Sequence, residues 1–510
     1  MINLLQPREY QKAILETAKK KNTLVVLPTG LGKTLIALLL TIERLKQYPT
    51  SKVLLLAPTK PLVEQHYESF KKQLPELFAE LHLFTGEIPA KTRQALWNTA
   101  EIIFSTPQCI ANDVQHSLYS LEDVSLIIFD EAHHCLKNYD YTKVVDRYKN
   151  QAKHIHILGL TASPGSDPEI VKKICQHLAI EAIELRSRDS KDVEPYIQER
   201  EFQKHEVPFP QEFIEIRVLL KRIWESKVNQ LRSRNLLFGA ANKITLLKLQ
   251  ATLARQASAK NFNALFGMSL TAQAIKIAHA LELLETQTLS GLDVYLQNLV
   301  TQAREKKTKG VQTLVKMSEF QAALHSLELL RKQGMEHPKI EELAMLVTKE
   351  IQEHEHPKII IFTQFRETAS IIMQRLNQIE KVKAALFVGQ AKKANTGLSQ
   401  KEQKEVIEKF KSGEINILCA TSIGEEGLDI PEVNTVIFYE PIPSAIRTIQ
   451  RAGRTARLSP GKLIILITLD TKDEIHHYTA AARERKMHKT IQNVQEEMDK
   501  PKPRTLKEFI

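Results

Sequence analysis

The chain reads as an α/β protein with two parallel-sheet lobes and an all-helical domain inserted between them. Three observations lead there. Residues 1–200 repeat a unit of short apolar run, loop and helical pattern. Residues 358–470 repeat the same unit. The stretch from about 205 to 335 has few strand-like runs and long 3.6-residue periodicities instead.

In the first lobe the apolar runs are 23–27, 53–57, 101–104, 126–129 and 155–159. They are rich in β-branched residues and apolar on both faces, as strands covered by helices on either side must be. In the second lobe they are 358–362, 384–387, 415–420, 435–438 and 462–467. Between the lobes, Ile216, Leu219, Leu220, Ile223, Trp224 and Val228 form one helical stripe, and Ile275, Ala278, Leu281 and Leu284 another. The expected division is a first lobe over 1–200, a helical insert over 201–335, a second lobe over 336–490 and a polar, disordered tail over 491–510.

Length and composition agree with a multidomain globular chain. At 510 residues two to four domains are expected, and 43% hydrophobic residues can bury a sizeable core. The formal charge of +11 favours a polyanionic partner. Ten Lys/Arg and one acid, Glu225, fall within 221–280, so most of that excess sits on the insert. It is either a solvated basic face or a grip on a phosphate backbone. Trp224 could stack on a base there, but its helical spacing suits the core. Cys109, Cys135, Cys175 and Cys419 are far apart and share no CxxC pair, which fits reduced thiols and excludes a disulfide frame. The N-terminus lacks a basic segment followed by an apolar run, and no run of about 18 apolar residues occurs. A cytoplasmic location with no membrane partner is therefore expected.

The chemistry centres on Leu27-Pro28-Thr29-Gly30-Leu31-Gly32-Lys33-Thr34, set between a strand and a helix. This is the context of a phosphate-binding loop. Gly30 and Gly32 let backbone N–H groups curl around a phosphate, and the helix N-terminus adds partial positive charge. Lys33 can reach the β- and γ-phosphates of ATP, and the Thr34 hydroxyl can ligate Mg²⁺. Leu27 stands where Gly or Ala is usual. A second set, Asp130-Glu131-Ala132-His133, follows another apolar strand. Carboxylates at the C-terminal end of a parallel strand face the crevice where such sheets bind ligands. Asp130 is placed to hold Mg²⁺ and Glu131 to polarise an attacking water. Two other runs carry no such chemistry. Glu353-His354-Glu355-His356 has the wrong spacing for a metal pair, and Glu484-Arg485-Lys486 reads as a charged helix face.

Together these residues resemble superfamily 2 helicases of the DEAH-box variety. More narrowly they resemble the family of the archaeal Hef helicase part and the Fanconi anaemia M protein. Further phrases carrying the resemblance are Ala57-Pro58-Thr59-Lys60-Pro61-Leu62-Val63, Ser105-Thr106-Pro107-Gln108, Gly159-Leu160-Thr161-Ala162-Ser163-Pro164-Gly165, Phe362-Thr363, Phe387-Val388-Gly389-Gln390, the 420–431 and 440–457 segments, and Leu283-Leu284-Glu285-Thr286-Gln287 of the insert. The resemblance implies two RecA-like lobes and gives roles to matched positions. Arg8 and Gln11 match the adenine-reading motif. His133, Thr161 and Ser163 match positions coupling hydrolysis to lobe movement, and Gly427 and Asp429 match the motif that meets the ribose. Gln450, Arg454 and Arg457 match a motif in which Arg457 is the finger on the γ-phosphate. Ala456 stands where Gly is common.

The resemblance also places DNA across both lobes, at Pro58, Thr59, Thr106, Pro107, Thr363 and Thr421. The insert would grip branched DNA, with Lys221, Arg222, Lys227, Arg232 and Arg234 the basic residues expected to hold it. It implies an ATP-dependent helicase or translocase acting on forked or junction DNA in fork repair. The alternatives are a double-stranded-RNA-directed relative and a nucleic-acid-binding scaffold. The last eight residues resemble a sliding-clamp peptide anchored by Leu506 and Phe509, and a separate nuclease is a further expected partner.

Overall fold

A computed structural model describes residues 6–75, 77–136, 139–257, 261–390, 397–424, 430–456 and 459–499. The first lobe runs α1 (Glu9–Lys20), β1 (Thr23–Val26), α2 (Lys33–Gln47), β2 (Lys52–Leu56), α3 (Lys60–Gln73), β3 (Leu81–Phe84), α4 (Ala90–Trp97), β4 (Ile102–Ser105), α5 (Pro107–Gln115), β5 (Val124–Phe129), α6 (Asp140–Gln151), β6 (Ile157–Thr161), α7 (Pro168–His177) and β7 (Ala182–Leu185). Its strands form a parallel sheet in the order β3-β4-β2-β5-β6-β1-β7. Parallel strands put all their C-terminal ends on one edge. Because β6 lies between β1 and β5, that edge carries the phosphate loop after β1, Thr161 at the end of β6 and Asp130 after β5 side by side. Apolar layers cover both sheet faces, one holding Leu24, Leu54, Ile127 and Phe129, the other Val25, Val53, Leu55 and Ile128.

Next come β8 (Arg200–Val207) and the helices α8 (Ile214–Ser233), α9 (Lys243–Ala257), α10 (Phe262–Thr286), α11 (Leu289–Arg304), α12 (Lys309–Val315) and α13 (Ser318–Lys332). The second lobe runs α14 (Lys339–Glu353), β9 (Ile359–Phe362), α15 (Arg366–Leu376), β10 (Ala384–Phe387), α16 (Gln400–Ser412), β11 (Ile417–Ala420), β12 (Thr435–Phe438), α17 (Ala445–Ala452), β13 (Gly461–Thr468) and α18 (Lys472–Asp499). Its parallel sheet has the order β10-β11-β9-β12-β13-β8.

Two boundaries differ from the sequence reading. Residues 201–207 belong not to the helical insert but to the second sheet, where β8 pairs with β13 along its whole length. This strand is a mostly exposed edge with polar residues on both faces, so it lacks the apolar signature of a central strand. Residues 491–499 are not a polar tail but the end of α18, whose Met487, Ile491 and Val494 are buried in the first lobe's core beside Val171 and Ile174. Thus α18 begins on the second lobe and ends on the first. Its spaced apolar residues are diluted by charge, which is why the sequence pattern looks like tail.

The insert's main core joins α8, α10, α11 and α13 through Ile216, Leu220, Ile277, Leu284, Leu296 and Leu327. Trp224 packs at its margin, as its spacing predicts. Among the described residues α10 is long and apolar enough to cross a membrane, but more than half of its apolar window is buried against neighbouring helices, so it serves as the bundle's central helix. A buried lysine fastens insert, second lobe and α18 together. Lys339 Nζ donates to Thr286 O (2.6 Å), Tyr439 O (3.0 Å) and Asp473 Oδ2 (2.8 Å), with both side chains of the ion pair fully buried. All four cysteines are free and buried.

Candidate functional site

β1 delivers the chain into the loop, and α2 starts at Lys33. Leu27 is fully buried and its N–H bonds Thr161 O (3.0 Å), so the loop's first side chain points into the core, where leucine fits without disturbing the loop. Gly30 (φ +88°) and Gly32 (φ +80°) both occupy the left-handed region, which an L side chain enters only with strain. A Cβ on Gly32 would also collide with the Gln11 amide. Pro28, Thr29 and Thr34 are half-buried around this loop. Lys33 Nζ donates to Leu27 O (2.9 Å), which holds the ammonium over the loop.

Gln11 is buried against the same loop. Its Oε1 accepts the Arg8 N–H (2.9 Å), and its Nε2 donates to Leu31 O (3.1 Å), a carbonyl that also accepts from Tyr10 Oη (2.8 Å). Both ends of the amide are thus engaged by the chain, and Gln11 braces the loop directly. The Arg8 guanidinium lies over the Tyr196 ring, 5.1 Å from its centroid.

Asp130 is buried, with Oδ2 2.7 Å from His66 Nε2. Burial opposes its charge, but His66 and the Lys33 ammonium outweigh that and hold the carboxyl below its usual range. Tyr141 Oη donates to the Asp130 carbonyl (2.7 Å) and fixes its backbone. Glu131 sits at φ +48°, ψ +51°, a strained conformation that turns its side chain out of the strand direction. Its Oε2 is buried without a hydrogen bond among the described residues and lies 3.3 Å from His133 Nδ1. His133 Nδ1 also lies 3.1 Å from Thr161 Oγ1, which accepts the Ser163 N–H (3.1 Å). Ser163 Oγ in turn donates to Met487 Sδ on α18. The matched coupling residues therefore form one chain of contacts from Glu131 to the helix that comes from the second lobe.

On the second lobe Gln450 lies on α17 and Arg454 just beyond it, both buried. Gly453 lies against the phosphate loop, where a Cβ would meet Thr29 Cβ at 2.8 Å. A cavity of about 770 Å³ continues from here between the lobes, lined by Thr29, Ala162, Arg200, Gly453 and Glu484. Ala456 has φ +55°, which accounts for the glycine common at its position. Arg457, Gly427 and Asp429 lie outside the described residues, as do Leu506 and Phe509.

The expected DNA contacts divide. Pro58 is half-buried, Thr59 exposed and Thr106 half-buried at the C-terminal edge of the first sheet, while Pro107 is buried in the first turn of α5. On the second lobe two expectations need correction. Thr363 is fully buried and its hydroxyl donates to Gln287 Oε1 (3.3 Å), and the Thr421 side chain is buried as well. Gln287 also accepts from Thr368 Oγ1 (2.9 Å) and, through its carbonyl, from Tyr439 Oη (3.0 Å). The Thr363 side chain locks insert to lobe and does not face solvent. On the insert Lys221, Arg222, Arg232 and Arg234 are exposed, but Lys227 is buried at 5% exposure and desolvation lowers its pKa, so it is no phosphate grip.

Sequence reading missed His66, Tyr141, Gln287's bridging role and Met487. Only Gln287 left a trace, since it lies in a segment that carries the family resemblance. Near it the buried Glu440 accepts the Gln364 N–H (2.5 Å), and burial pushes its carboxyl up to about 7 against the pull of Lys339 and Arg451. Among the described residues no cluster of three His, Cys, Asp or Glu is arranged to hold a metal ion by itself. Any Mg²⁺ here needs phosphate oxygens beside Thr34 and Asp130, and the held carboxylate and half-buried hydroxyl fit that role.

Comparison with known proteins agrees with this geometry. A model for the DEAD/DEAH box helicase family matches residues 8–171, the helicase conserved C-terminal domain matches 338–459, and a helical bundle described as that of a putative ATP-dependent RNA helicase matches 212–334. A putative ATP-dependent RNA helicase of Methanocaldococcus jannaschii is 38% identical over 96% of this chain and 61% of its own length. The ATP-dependent DNA helicase mph1 of Neurospora crassa is 34% identical over 91% of this chain and 41% of its own. The mouse Fanconi anemia group M protein homolog is 32% identical over 95% and 26%. The chain thus spans less than two thirds of these relatives. The crystal structure of the Pyrococcus furiosus Hef helicase domain superposes with a TM-score of 0.71 at 42% identity, covering 94% of this chain and 99% of that one. With both lobes, the insert and the loop chemistry matched along nearly the whole sequence, the chain belongs to the DEAD/DEAH box helicases, in the family of the Hef helicase domain.

Proposed function

We propose that this chain is an ATP-hydrolysing motor that unwinds or translocates forked or branched DNA in fork repair and recombination. The observation that carries the reading is the approach of Thr29 on the first lobe to Gly453 on the second. It makes the nucleotide site a joint of two bodies, so that hydrolysis responds to their separation.

In this mechanism the Gly30 and Gly32 backbone wraps the phosphates, and Lys33 leaves Leu27 O for the β- and γ-phosphates. Mg²⁺, held by Thr34 and Asp130 with phosphate oxygens, would neutralise charge that builds up on the transferred group. Glu131, whose Oε2 makes no hydrogen bond among the described residues and lies 3.3 Å from His133 Nδ1, orients the attacking water and accepts its proton. Arg454 and Arg457 complete the site from the second lobe, and Gln450 positions them. The run through His133, Thr161, Ser163 and Met487 carries the result to α18.

DNA as substrate is supported by the names of the fungal relatives, and a fork or junction by the basic insert. A second reading, an RNA-directed motor, is supported by the name of the archaeal relative and by the description of the helical-bundle model. Turnover and unwinding on forks, Holliday junctions, plain duplexes and duplex RNA separate the two. Stronger stimulation by duplex RNA than by forked DNA would overturn the DNA reading. A sliding clamp bound through Leu506 and Phe509, a separate nuclease and a nucleoid-associated cytoplasmic location complete the proposal.

A further inference from the structure

One end of the insert, built on a core separate from the one Phe365 packs against, combines exposed large apolar side chains with cations. There the C-terminus of α8, the 235–242 loop, α9 and the start of α10 enclose a small core of Val228, Leu231, Leu237, Leu246 and Leu270. Outside that core, large apolar side chains are left in water. Phe238 is 77% and Phe262 84% exposed, Phe266 is also exposed, and Ile244 and Leu247 stand out from α9, in which only Leu246 and Leu253 are buried. Large apolar side chains left exposed around one small core mark a place where something docks.

The charge around it selects the partner. Residues 226–281 contain no Asp or Glu. Arg232, Arg234 and Lys248 are exposed among the aromatics. Arg234 lies over the Phe266 ring, 4.1 Å from its centroid, and bonds Asn263 Oδ1 (3.3 Å), while Arg232 bonds Gly239 O (3.1 Å). These contacts hold the 235–242 loop, and with it Phe238, against the first turns of α10. Phe262 and Phe266 are one helical turn apart on the same face of α10. A protein partner would have to bring both acids to match the cations and apolar side chains to cover the rings. A single-stranded nucleic acid supplies both halves, a polyanionic backbone and flat bases, and exposed aromatics beside cations are the means by which such strands are held without reading sequence.

We propose that Phe238, Phe262 and Phe266 form a stacking platform for unpaired bases of a single-stranded arm, with Arg232, Arg234 and Lys248 holding its phosphates. The inference rests on the nucleic-acid reading above and narrows it. The insert meets the strand by its bases as well as by its charge, so it favours a fork with single-stranded arms over plain duplex.

The test uses the full chain and a DNA fork carrying 2-aminopurine in one single-stranded arm. Binding of the wild type should change the 2-aminopurine fluorescence. The variant Phe238→Ala/Phe262→Ala/Phe266→Ala should lose that change and bind the fork more weakly, by about tenfold for each base whose stack is lost. Its dependence on salt should be unaltered, because the phosphate contacts remain. All three side chains are exposed, so folding should survive, and the three Phe→Trp replacements should restore the signal. Arg232→Ala/Arg234→Ala/Lys248→Ala should instead flatten the salt dependence. Unchanged fork affinity and fluorescence in the Phe variant would overturn the platform. So would a change in sedimentation with DNA affinity intact, which would assign the patch to a second copy of the chain. A wild type that turns over ATP in response to DNA but shows no fluorescence change overturns the platform alone. A fluorescence change without stimulated turnover upholds the platform and removes the motor reading.

Discussion

Thr29 and Gly453, on different lobes and 424 positions apart in sequence, lie so close that a Cβ on the glycine would sit 2.8 Å from the threonine Cβ. The phosphate loop and the arginine-bearing helix of the second lobe are thus already apposed. Gly453→Val should wedge them apart. ATP affinity, set largely by the first lobe, should hold within a few-fold, while turnover falls about tenfold, the size expected when a catalytic geometry is displaced by a fraction of an ångström. Equal loss of binding and turnover would argue against the joint.

Lys33→Ala and Glu131→Gln should each lower nucleic-acid-stimulated turnover by about 10²–10⁴. They should differ in binding, since the proposed mechanism sets Lys33 against the phosphates and Glu131 against the water alone. Nucleotide titration of the two variants checks this, and retained turnover in either would refute the assigned site.

His66→Ala removes the partner that, with Lys33, keeps Asp130 ionised against burial. With that pull removed the Asp130 pKa rises, and the acid limb of the rate profile moves to higher pH. The same contact stabilises the native protein above the unfolded aspartate pKa of about 3.9 and is lost as pH falls through the lower native value. A rate profile for His66→Ala superimposable on the wild type would exclude this role, and His66→Gln should restore part of the bond.

Glu440 behaves in the opposite sense. Burial lifts it to about 7, so the folded protein holds a proton that the unfolded chain releases near 4.5. Stability therefore declines as pH climbs through that interval. Glu440→Gln keeps an acceptor for the Gln364 N–H and should abolish the decline, gaining up to about 3 kcal/mol at pH 8 and little at pH 4. Denaturant titrations at the two pH values test it.

Ile491→Ala should destabilise the first lobe by about 2–4 kcal/mol, the cost of emptying a fully buried aliphatic site. A dispensable tail would show no such loss. The thermal transition of the nucleotide-free protein measures the difference.

Both sheets were legible in the sequence wherever strands are buried on two faces, as in 53–57 or 435–438, because short continuous apolar runs bounded by loops have few other uses. Strands β3, β7 and β8 were not, since half-exposed and edge positions tolerate polar residues such as His82, Glu184 and Lys204. Lys33, Asp130 and Glu131, the residues of the proposed site, stood out because phosphate chemistry dictates residue types at close spacing. His66 was not, because one histidine on a helix says nothing until the fold brings it to Asp130.

By itself the sequence determined two α/β lobes and a helical insert and singled out the residues proposed for a phosphate site, for these depend on local periodicity and local spacing. Tertiary structure alone decided that Thr29 meets Gly453, that Thr363 and Lys227 are withdrawn from solvent, and that α18 runs from the second lobe into the first lobe's core. Each of these joins segments hundreds of residues apart or sets which side of a helix is covered. No local pattern encodes such contacts, because they arise only when whole elements pack.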